Sequence, residues 1–266
     1  MNELSPEWQS WVDHNIAQGC TVESMIEAMV KSNFDTASAF LTIEAATKKP
    51  WFSHTGRIIQ TNDKQVRILF RMSNPLVVLL ENLLTDQECD QLIAESVSKL
   101  KRSVVVDPDT GQSAKIDGRT SEGTFFYVNE SQFIQTLDRR ISEVMQLPSE
   151  NGEGLQVMRY GTGGEYRAHF DYFDTEKMGP ALHLAKGGQR VSTLVIYLND
   201  VDRGGETTFP DLGVSFPPKK GSAVYFEYCD RLGKLDDRSL HAGEPVLSGE
   251  KWIATKWMRQ DRYSHE

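Results

Sequence analysis

The segment Leu155-Gln-Val-Met-Arg-Tyr160-Gly-Thr-Gly-Gly-Glu-Tyr166-Arg-Ala-His169-Phe-Asp171 ends in two side chains that suit a metal ion at the spacing of a β-strand. Residues i and i+2 of a strand point to the same side, so His169 and Asp171 can bind one ion together. His241 follows seventy residues after Asp171, and Lys251 lies ten residues beyond it. This spacing predicts a site that is assembled from distant strands of a β domain.

Together, His169, Asp171 and His241 form the predicted metal triad. Two imidazoles and one carboxylate cover one face of an octahedral ferrous ion and leave three positions open. A metal needs such open positions if it is to bind a substrate and oxygen at the same time. The triad therefore indicates catalytic iron.

Lys251 begins an alternating stretch that predicts a strand, and one face of that strand would carry Lys251, Ile253, Thr255 and Trp257. A lysine near iron suits a 2-oxo dicarboxylic acid. Such an acid would chelate the metal through its keto oxygen and one carboxylate, and its second carboxylate needs a cation in a dry pocket. The formal charges of iron(II), Asp171, the dianion and Lys251 cancel, which avoids the desolvation cost of an unpaired buried ion.

Zinc also binds two histidines and a carboxylate, with water in the fourth position. A hydrolytic zinc would need a general base beside that water, and the sequence lacks the helical His-Glu-x-x-His pattern. The three cysteines, Cys20, Cys89 and Cys229, are too far apart to form a CxxC site. Gly161-Thr-Gly-Gly164 is interpreted as a turn, because no helix follows it as a phosphate loop would require.

Six segments of the chain form an ordered set of motifs. They are Arg119-Thr-Ser-Glu-Gly-Thr-Phe, Leu155 to Phe173, Gln189-Arg190-Val-Ser-Thr193-Leu-Val-Ile-Tyr-Leu-Asn, Gly204-Gly-Glu-Thr-Thr-Phe-Pro210, Ser239-Leu-His241-Ala-Gly-Glu-Pro-Val and Lys251-Trp-Ile-Ala-Thr-Lys-Trp257. With this set the sequence resembles the prolyl 4-hydroxylases, a branch of the iron(II) and 2-oxoglutarate dependent dioxygenases. The resemblance covers roughly residues 73 to 266.

The resemblance implies a mainly β fold: a double-stranded β-helix, or jelly roll, with flanking α-helices and the metal in the mouth between two sheets. It implies that His169, Asp171 and His241 hold iron. Lys251 would pair with the distal carboxylate of 2-oxoglutarate, and Tyr160 and Thr193 would add hydrogen bonds to this cosubstrate. The positions expected to face the peptidyl proline and the reaction centre are Tyr166, Arg190 and Trp257.

The implied reaction is that of a procollagen-proline 4-dioxygenase. A proline in a protein or peptide is hydroxylated with iron(II) as cofactor and with 2-oxoglutarate and oxygen as cosubstrates, while succinate and CO2 are released. Ascorbate is the expected reductant. Two other functions stay open: the same chemistry on a free amino acid or small molecule, and a partner-binding protein whose β domain only senses oxygen or 2-oxoglutarate.

Length and composition agree with an enzyme that has one β domain of about 200 residues and a small appendage. No apolar run approaches the roughly 20 residues that span a bilayer, and the amino terminus lacks the pattern of a secretion signal. Three separated cysteines favour a reducing compartment, so we expect a cytoplasmic protein. The net charge of −9 argues against nucleic acid as a partner.

Residues 1–50 are predicted to form a small helical region that is distantly similar to ubiquitin-associated modules. Helices are expected to begin at Ser5-Pro6, Thr21 and Asp35. Their apolar residues at helical spacing are Trp8, Trp11, Val12 and Ile16 in the first, Met25, Ile26, Met29 and Val30 in the second, and Ala39, Phe40 and Ile43 in the third.

The remainder is divided into residues 51–72, a connecting segment with the first strands, and residues 73–266, the catalytic domain. Thr85-Asp-Gln-Glu88 predicts a capping box at the start of a helix that packs outside the barrel. Residues 107–123 and 175–188 are rich in polar residues and glycine, and we expect them to form loops near the site.

Overall fold

The computed structural model describes residues 5–106, 113–114, 118–175, 177, 179 and 181–264. The chain divides into two compact units. The first comprises Met1–Ser53 and Cys229–Leu235, and the second comprises His54–Tyr228 and Asp236–Glu266. No helix among the described residues is both long enough and apolar enough to cross a bilayer.

The first unit contains the helices α1 (Pro6–Ala17), α2 (Val22–Lys31) and α3 (Thr36–Thr47). All three begin where the sequence predicts, because the side chains of Ser5, Thr21 and Asp35 each accept a hydrogen bond from a backbone N–H three residues later. The buried core of this unit consists of Val12, Ile16, Met25, Met29, Ala39, Ile43 and Ala46.

Two residues of the predicted apolar stripes point outward. Val30 is 39% exposed and Phe40 is 48% exposed. The small side chains of Ala39 and Ala46 occupy the inward face of α3 instead. Helical spacing alone identified the helix correctly, but it did not separate the inward positions from their immediate neighbours.

The described strands of the second unit are short except in its large sheet. They are β1 (Ile58–Gln60), β2 (Gln65–Ser73), β3 (Leu76–Glu81), β4 (Lys101–Arg102), β5 (Val105–Val106), β6 (Ser113–Ala114), β7 (Glu122–Phe126), β8 (Leu155–Tyr160), β9 (Tyr166–His169), β10 (Arg190–Tyr197), β11 (Arg203–Gly204), β12 (Thr207–Phe209), β13 (Val214–Phe216), β14 (Ala223–Glu227), β15 (His241–Gly243), β16 (Val246–Ser248) and β17 (Lys251–Arg259). The helices are α4 (Asp86–Val97), α5 (Gln132–Met145) and α6 (Ala181–Leu184).

Two antiparallel sheets enclose the core of the second unit. The large sheet has the order β1-β2-β3-β14-β10-β17-β8-β7-β4, and the small sheet has the order β13-β12-β15-β9. Tyr160, Val195 and Phe226 from the large sheet share one buried cluster with Phe209 and Phe216 from the small sheet. Two facing sheets around a single core form a jelly roll, so the predicted double-stranded β-helix is confirmed.

The central strand β17 is buried along its whole length. Its first face, which carries Lys251, Ile253, Thr255 and Trp257, lines a cavity between the sheets, as the alternation predicts. On the opposite face, Lys256 forms an ion pair with Asp138 of α5, with 2.7 Å between Nζ and Oδ1. Helix α5 therefore covers the outer face of the large sheet.

The capping box that begins α4 is confirmed, because Thr85 and Glu88 exchange side-chain and backbone hydrogen bonds. Helix α5 was not identified from the sequence. The predicted loop at 107–123 includes β6 and the start of β7, and the one at 175–188 includes α6. Residues 107–112, 115–117, 176, 178 and 180 of these predicted loops lie outside the described residues.

We expect Asp138→Ala to lower the free energy of unfolding by about 3–5 kcal/mol, because the Lys256 ammonium would remain buried without its counter-charge. Both side chains are only 1% exposed. Chemical denaturation measures the change. The matched control is Arg67→Ala, which removes an ion pair whose arginine is 65% exposed and should cost less than about 1 kcal/mol.

Replacing the whole pair by apolar residues, Asp138→Leu with Lys256→Met, should recover most of the lost stability. Equal losses for Asp138→Ala and Arg67→Ala would show that the buried pair has no special energetic role.

Candidate metal centre and cosubstrate pocket

The pairing of two short strands brings the predicted metal triad together. β9 and β15 are antiparallel neighbours, and His169 lies directly opposite His241 in their register. Asp171 follows two residues after His169, so its carboxylate reaches both imidazoles. Its Oδ1 lies 3.5 Å from Nε2 of His169, and its Oδ2 lies 3.5 Å from Nε2 of His241. One possible ligand atom from each of the three residues lies within 4.8 Å of the others.

The hydrogen bonds of the two histidines fix which nitrogen is available to a metal. Nδ1 of His169 lies 2.8 Å from the carbonyl oxygen of Arg167, and Nδ1 of His241 lies 3.0 Å from that of Ser239. A carbonyl can only accept, so each Nδ1 carries a proton, and Nε2 is the nitrogen that has the lone pair when the imidazole is neutral. Both lone pairs therefore belong to the nitrogens that face Asp171, which suits a shared metal ion.

The protonation states of the triad also fit a divalent metal. Burial, followed by the influence of His169, lowers the pKa of His241 to about 4, so its imidazole is neutral near neutral pH. Burial alone would raise the pKa of Asp171, but the two imidazoles and Arg190 hold it well below its usual range. Two imidazole nitrogens and one carboxylate form the donor set that iron(II) takes with three positions left open.

Thr193 and Arg190 hold Asp171 from two directions. The Thr193 hydroxyl donates to Oδ2 at 2.7 Å, and the Arg190 guanidinium donates to the backbone carbonyl of Asp171 at 3.2 Å. The sequence placed Thr193 among the cosubstrate ligands and Arg190 near the peptidyl proline. In the structure both side chains contact the aspartate of the triad.

Arg190 belongs to a buried cluster that the sequence did not reveal. Glu153 accepts hydrogen bonds from Arg190 at 2.6 Å and 2.9 Å and from Arg259 at 2.7 Å. Burial would raise the pKa of Glu153, but the two guanidinium groups lower it, so the carboxylate stays charged. The Arg190 guanidinium also lies 4.1 Å from the ring centroid of Trp257. Its orientation is therefore set before any substrate arrives.

Lys251 lies in the same cavity as the triad, as predicted. It is 3% exposed, and its backbone is paired with that of Tyr160 on β8. Its Nζ lies 5.8 Å from the ring centroid of Tyr160 and 5.9 Å from that of Tyr197. Burial lowers the pKa of Lys251 to about 8, although Glu206 and Glu244 act in the opposite direction. A buried ammonium in such surroundings favours an arriving carboxylate.

A second threonine lines this cavity and was not singled out from the sequence. Thr207 is 3% exposed, and its Oγ1 accepts a hydrogen bond from the Tyr197 hydroxyl at 2.8 Å. Because it accepts that bond, its own hydroxyl proton remains available for a bound anion. Thr207 belongs to the Gly204–Pro210 motif, so a signal was present, but the residue type alone assigns no role.

The other predicted aromatic residues also line the cavity. Tyr166 stacks on the imidazole of His169 with 3.5 Å between ring centroids, and burial raises its pKa to about 12, so it stays a neutral hydroxyl. The indole nitrogen of Trp257 is buried without a hydrogen-bond partner among the described residues. An unpaired buried donor at a cavity wall suits a ligand that brings an acceptor.

Arg119 lines the cavity beside Tyr166 and adds a cation that the sequence did not assign. Its guanidinium lies 4.8 Å from the ring centroid of Tyr166 and donates to neutral groups, including Ser121 and Gln156. Phe170, which strict alternation along a strand would turn into the packing behind the metal, is instead 39% exposed and stacks on Tyr172. β9 ends at His169, so strict alternation no longer applies beyond it.

Comparison with known proteins identifies the family to which the chain belongs. Residues 155–259 match the model of the 2OG-Fe(II) oxygenase superfamily. Prolyl 4-hydroxylase 2 of Arabidopsis thaliana is 40% identical over 212 residues, which cover 72% of this chain and 69% of the relative. Prolyl 4-hydroxylase 1 of the same plant is 41% identical over 223 residues, which cover 75% and 77%.

Among solved structures, the viral collagen prolyl hydroxylase of Paramecium Bursaria Chlorella virus-1, in complex with 2OG, is similar to this chain. The two share 33% sequence identity with a TM-score of 0.54, over 69% of this chain and 95% of the viral protein. The fold, the triad and the sequence relatives agree. The chain belongs to the prolyl 4-hydroxylase family within the 2OG-Fe(II) oxygenase superfamily.

Proposed function

We propose that this protein hydroxylates a proline residue of a protein or peptide, with iron(II) held by His169, Asp171 and His241. The observation that carries the proposal is the convergence of these three residues within 4.8 Å in a cavity that also contains the buried ammonium of Lys251. The relatives named prolyl 4-hydroxylase support proline as the target.

Iron(II), 2-oxoglutarate and oxygen would supply the oxidation, in which one oxygen atom is added to C4 of the proline and the other enters succinate as CO2 is lost. The chain itself supplies geometry and charge. The backbone carbonyls of Arg167 and Ser239 orient the two imidazoles, and Thr193 orients the carboxylate of Asp171. No side chain needs to act as a nucleophile or as a general base.

At the cosubstrate end of the cavity, we assign Lys251 to the distal carboxylate of 2-oxoglutarate. Tyr160 lies beside it and is retained as a hydrogen-bond partner of the cosubstrate. Thr207 is added, because its hydroxyl proton is available whereas that of Thr193 is donated to Asp171. A carboxylate accepts from several donors at once, and buried charge-assisted hydrogen bonds are the stronger ones.

At the substrate end, Tyr166 and Trp257 are the residues we assign to the proline-bearing segment. The Trp257 indole N–H has no partner among the described side chains and backbone groups, so a backbone carbonyl of an entering peptide could accept from it. Arg190 is engaged by Glu153. Its proposed contribution to the reaction centre is to hold the backbone of Asp171.

We also propose a reducing cellular compartment for the reaction. Among the described residues, Cys20, Cys89 and Cys229 are not joined in disulfides, which supports a reducing compartment such as the cytoplasm. There a reductant such as ascorbate would keep the metal in its ferrous state between turnovers.

Incubation with iron(II), ascorbate, 2-oxoglutarate and a synthetic proline peptide should give succinate and a peptide that has gained one oxygen atom, measured by mass spectrometry. Asp171→Ala should reduce both products more than about 100-fold, since even outer partners of a metal ligand contribute 10–100-fold. Asp211→Ala removes an exposed carboxylate that does not line the cavity and should retain activity.

Parallel reactions with free proline separate the alternatives. Turnover of free proline but of no peptide would favour a small-molecule substrate. Binding of 2-oxoglutarate without oxidation of either substrate would favour a sensor. Absence of succinate under every condition would overturn the assignment as an oxygenase.

The affinity for 2-oxoglutarate should fall as the pH rises through the pKa of Lys251, about 8 in the free protein. Below that pH the ammonium is charged and pairs with the dianion, and above it the proton must first be regained. The apparent dissociation constant should therefore rise about tenfold between pH 7 and pH 9. Calorimetry measures this dissociation constant, with manganese(II) as an air-stable substitute for iron(II).

Lys251→Arg is the matched control for this pH dependence. Arginine remains protonated across the same range, so the variant should bind with an affinity that hardly changes with pH, even if binding is weaker. A wild-type slope in Lys251→Arg would assign the titration to another group.

Substitutions of the two threonines, Thr207 and Thr193, should have different effects on cosubstrate and metal binding. Thr207→Val removes a donor to the cosubstrate and should raise the KM for 2-oxoglutarate about tenfold, as expected for one hydrogen bond to a charged group. Thr193→Val should instead weaken manganese(II) binding and leave the KM for 2-oxoglutarate nearly unchanged. Steady-state kinetics and calorimetry test both, and the reversed pattern would restore Thr193 as the cosubstrate ligand.

A further inference from the structure

Phe173 lies two residues beyond Asp171, and its ring contacts both cations of the buried cluster around Glu153. The ring centroid lies 4.9 Å from the Arg190 guanidinium and 4.7 Å from that of Arg259. The Phe173 side chain is buried, with 6% of its surface exposed, so water screens these contacts little. A guanidinium within about 6 Å of an aromatic centroid is attracted to the ring face. Phe173 therefore interacts with both cations at once.

The cluster around Glu153 contains more positive than negative charge. Arg190 and Arg259 donate to the same oxygen, Oε1 of Glu153, at 2.6 Å and 2.7 Å. One carboxylate compensates for only one of the two guanidinium groups. Arg259 also donates to two backbone carbonyls of residues 181–188, at 3.1 Å and 2.7 Å. An aromatic face likewise offers negative potential without a formal charge, so the Phe173 ring helps to stabilise the second cation.

The ring of Phe173 is held in place by its neighbours. Its backbone N–H donates to Oε1 of Gln189 at 2.8 Å, and its carbonyl accepts from Nε2 of Gln189 at 2.7 Å. Gln189 is itself buried. The imidazole of His183 stacks on the ring, with 5.4 Å between the centroids and 13° between the planes. The ring is therefore a fixed surface against which the guanidinium groups pack.

Arg190 connects this ring to the wall of the cavity. Its guanidinium lies 4.1 Å from the ring centroid of Trp257, which lines the cavity. The same guanidinium thus packs against two aromatic rings, those of Phe173 and Trp257. The indole N–H of Trp257 has no hydrogen-bond partner among the described residues, and it is the group we assign to a carbonyl of the substrate. A change in the orientation of Arg190 would therefore be felt at the substrate end of the cavity.

We propose that Phe173 is a positioning residue for the proline-bearing peptide: its ring orients the Arg190 guanidinium, which in turn orients the indole of Trp257. This inference rests on the proposed function and deepens it at the substrate end of the cavity. Glu153 keeps Arg190 paired whether or not the ring is present. Loss of the ring should therefore affect peptide binding and leave the cosubstrate end around Lys251 unchanged.

The first test changes the electrons of the ring and keeps its shape. Phe173→3,4,5-trifluorophenylalanine withdraws charge from the ring faces, so the attraction to both guanidinium groups is lost. The KM for the proline peptide should rise about five- to tenfold, while the KM for 2-oxoglutarate and the affinity for manganese(II) stay within about twofold of wild type. The same replacement at Phe133 is the matched control, since the structure describes no cation–π contact for that ring, and it should change neither KM.

The second test reads the position of Trp257 without any turnover. In protein labelled with 5-fluorotryptophan, fluorine NMR resolves the five tryptophans, and Trp257→Phe identifies the resonance of Trp257. Phe173→Leu removes the ring and should shift this resonance in the free protein. Phe133→Leu is the matched control and should leave it where it is in the wild type.

An unchanged peptide KM in the trifluorinated protein would show that the ring of Phe173 acts only through its volume, and the proposal would be wrong. An equal rise in the KM for 2-oxoglutarate, or an unshifted Trp257 resonance in Phe173→Leu, would overturn it as well. The fluorinated ring keeps the packing, so the first test does not depend on whether Phe173→Leu folds. Absence of 2-oxoglutarate turnover by the wild type would instead overturn the proposed function, and the Trp257 resonance would still test the positioning role.

Discussion

The antiparallel register of β9 and β15 determines the site, because it alone places the imidazole of His169 across from that of His241. Side chains alternate along a strand, so a slip of one residue would turn one imidazole to the opposite face and leave two ligands instead of three. Packing secures this register: the ring of Phe226, from the large sheet, lies 4.6 Å from that of His241. The large sheet thus acts as the rigid support on which a short pair of strands holds its ligands.

Burial of charge is the second constraint on this centre. Asp171, Lys251 and Glu153 are all nearly inaccessible, and a buried ion is tolerated only when it is compensated. Glu153 lies between two arginines and is compensated within the protein, whereas the ammonium of Lys251 donates to no carboxylate among the described residues. The sequence-based charge balance counted Asp171 and Lys251, but neither Glu153 nor Arg119. Arg119 adds further positive charge to the cavity wall, which favours an arriving dianion over a neutral ligand.

The sequence predicts correctly those features that depend only on residues close together in the chain. The spacing of His169 and Asp171, the alternation from Lys251 and the helix caps each follow from neighbouring residues, and each prediction agrees with the structure. Helix α5 was missed because its buried face includes Asp138 and Arg140, which break the apolar period. Those charges are tolerated only because Lys256 and the carboxylates of Asp63 and Glu88 meet them in space. Glu153 was missed for the same reason, since its partners are 37 and 106 residues away.

Thr193 and Thr207 are both buried, and their hydrogen bonds, rather than the motifs that contain them, distinguish their roles. A hydroxyl has one proton to donate, and an ionised carboxylate can only accept. Thr193 has directed its proton to Asp171, so in this arrangement it has none left for a second carboxylate. Thr207 accepts from Tyr197, whose pKa is raised by burial so that it remains a donor, and Thr207 therefore keeps its proton. Both are buried threonines on strands, and the partner already present distinguishes the residue that orients the metal ligand from the one that can bind the cosubstrate.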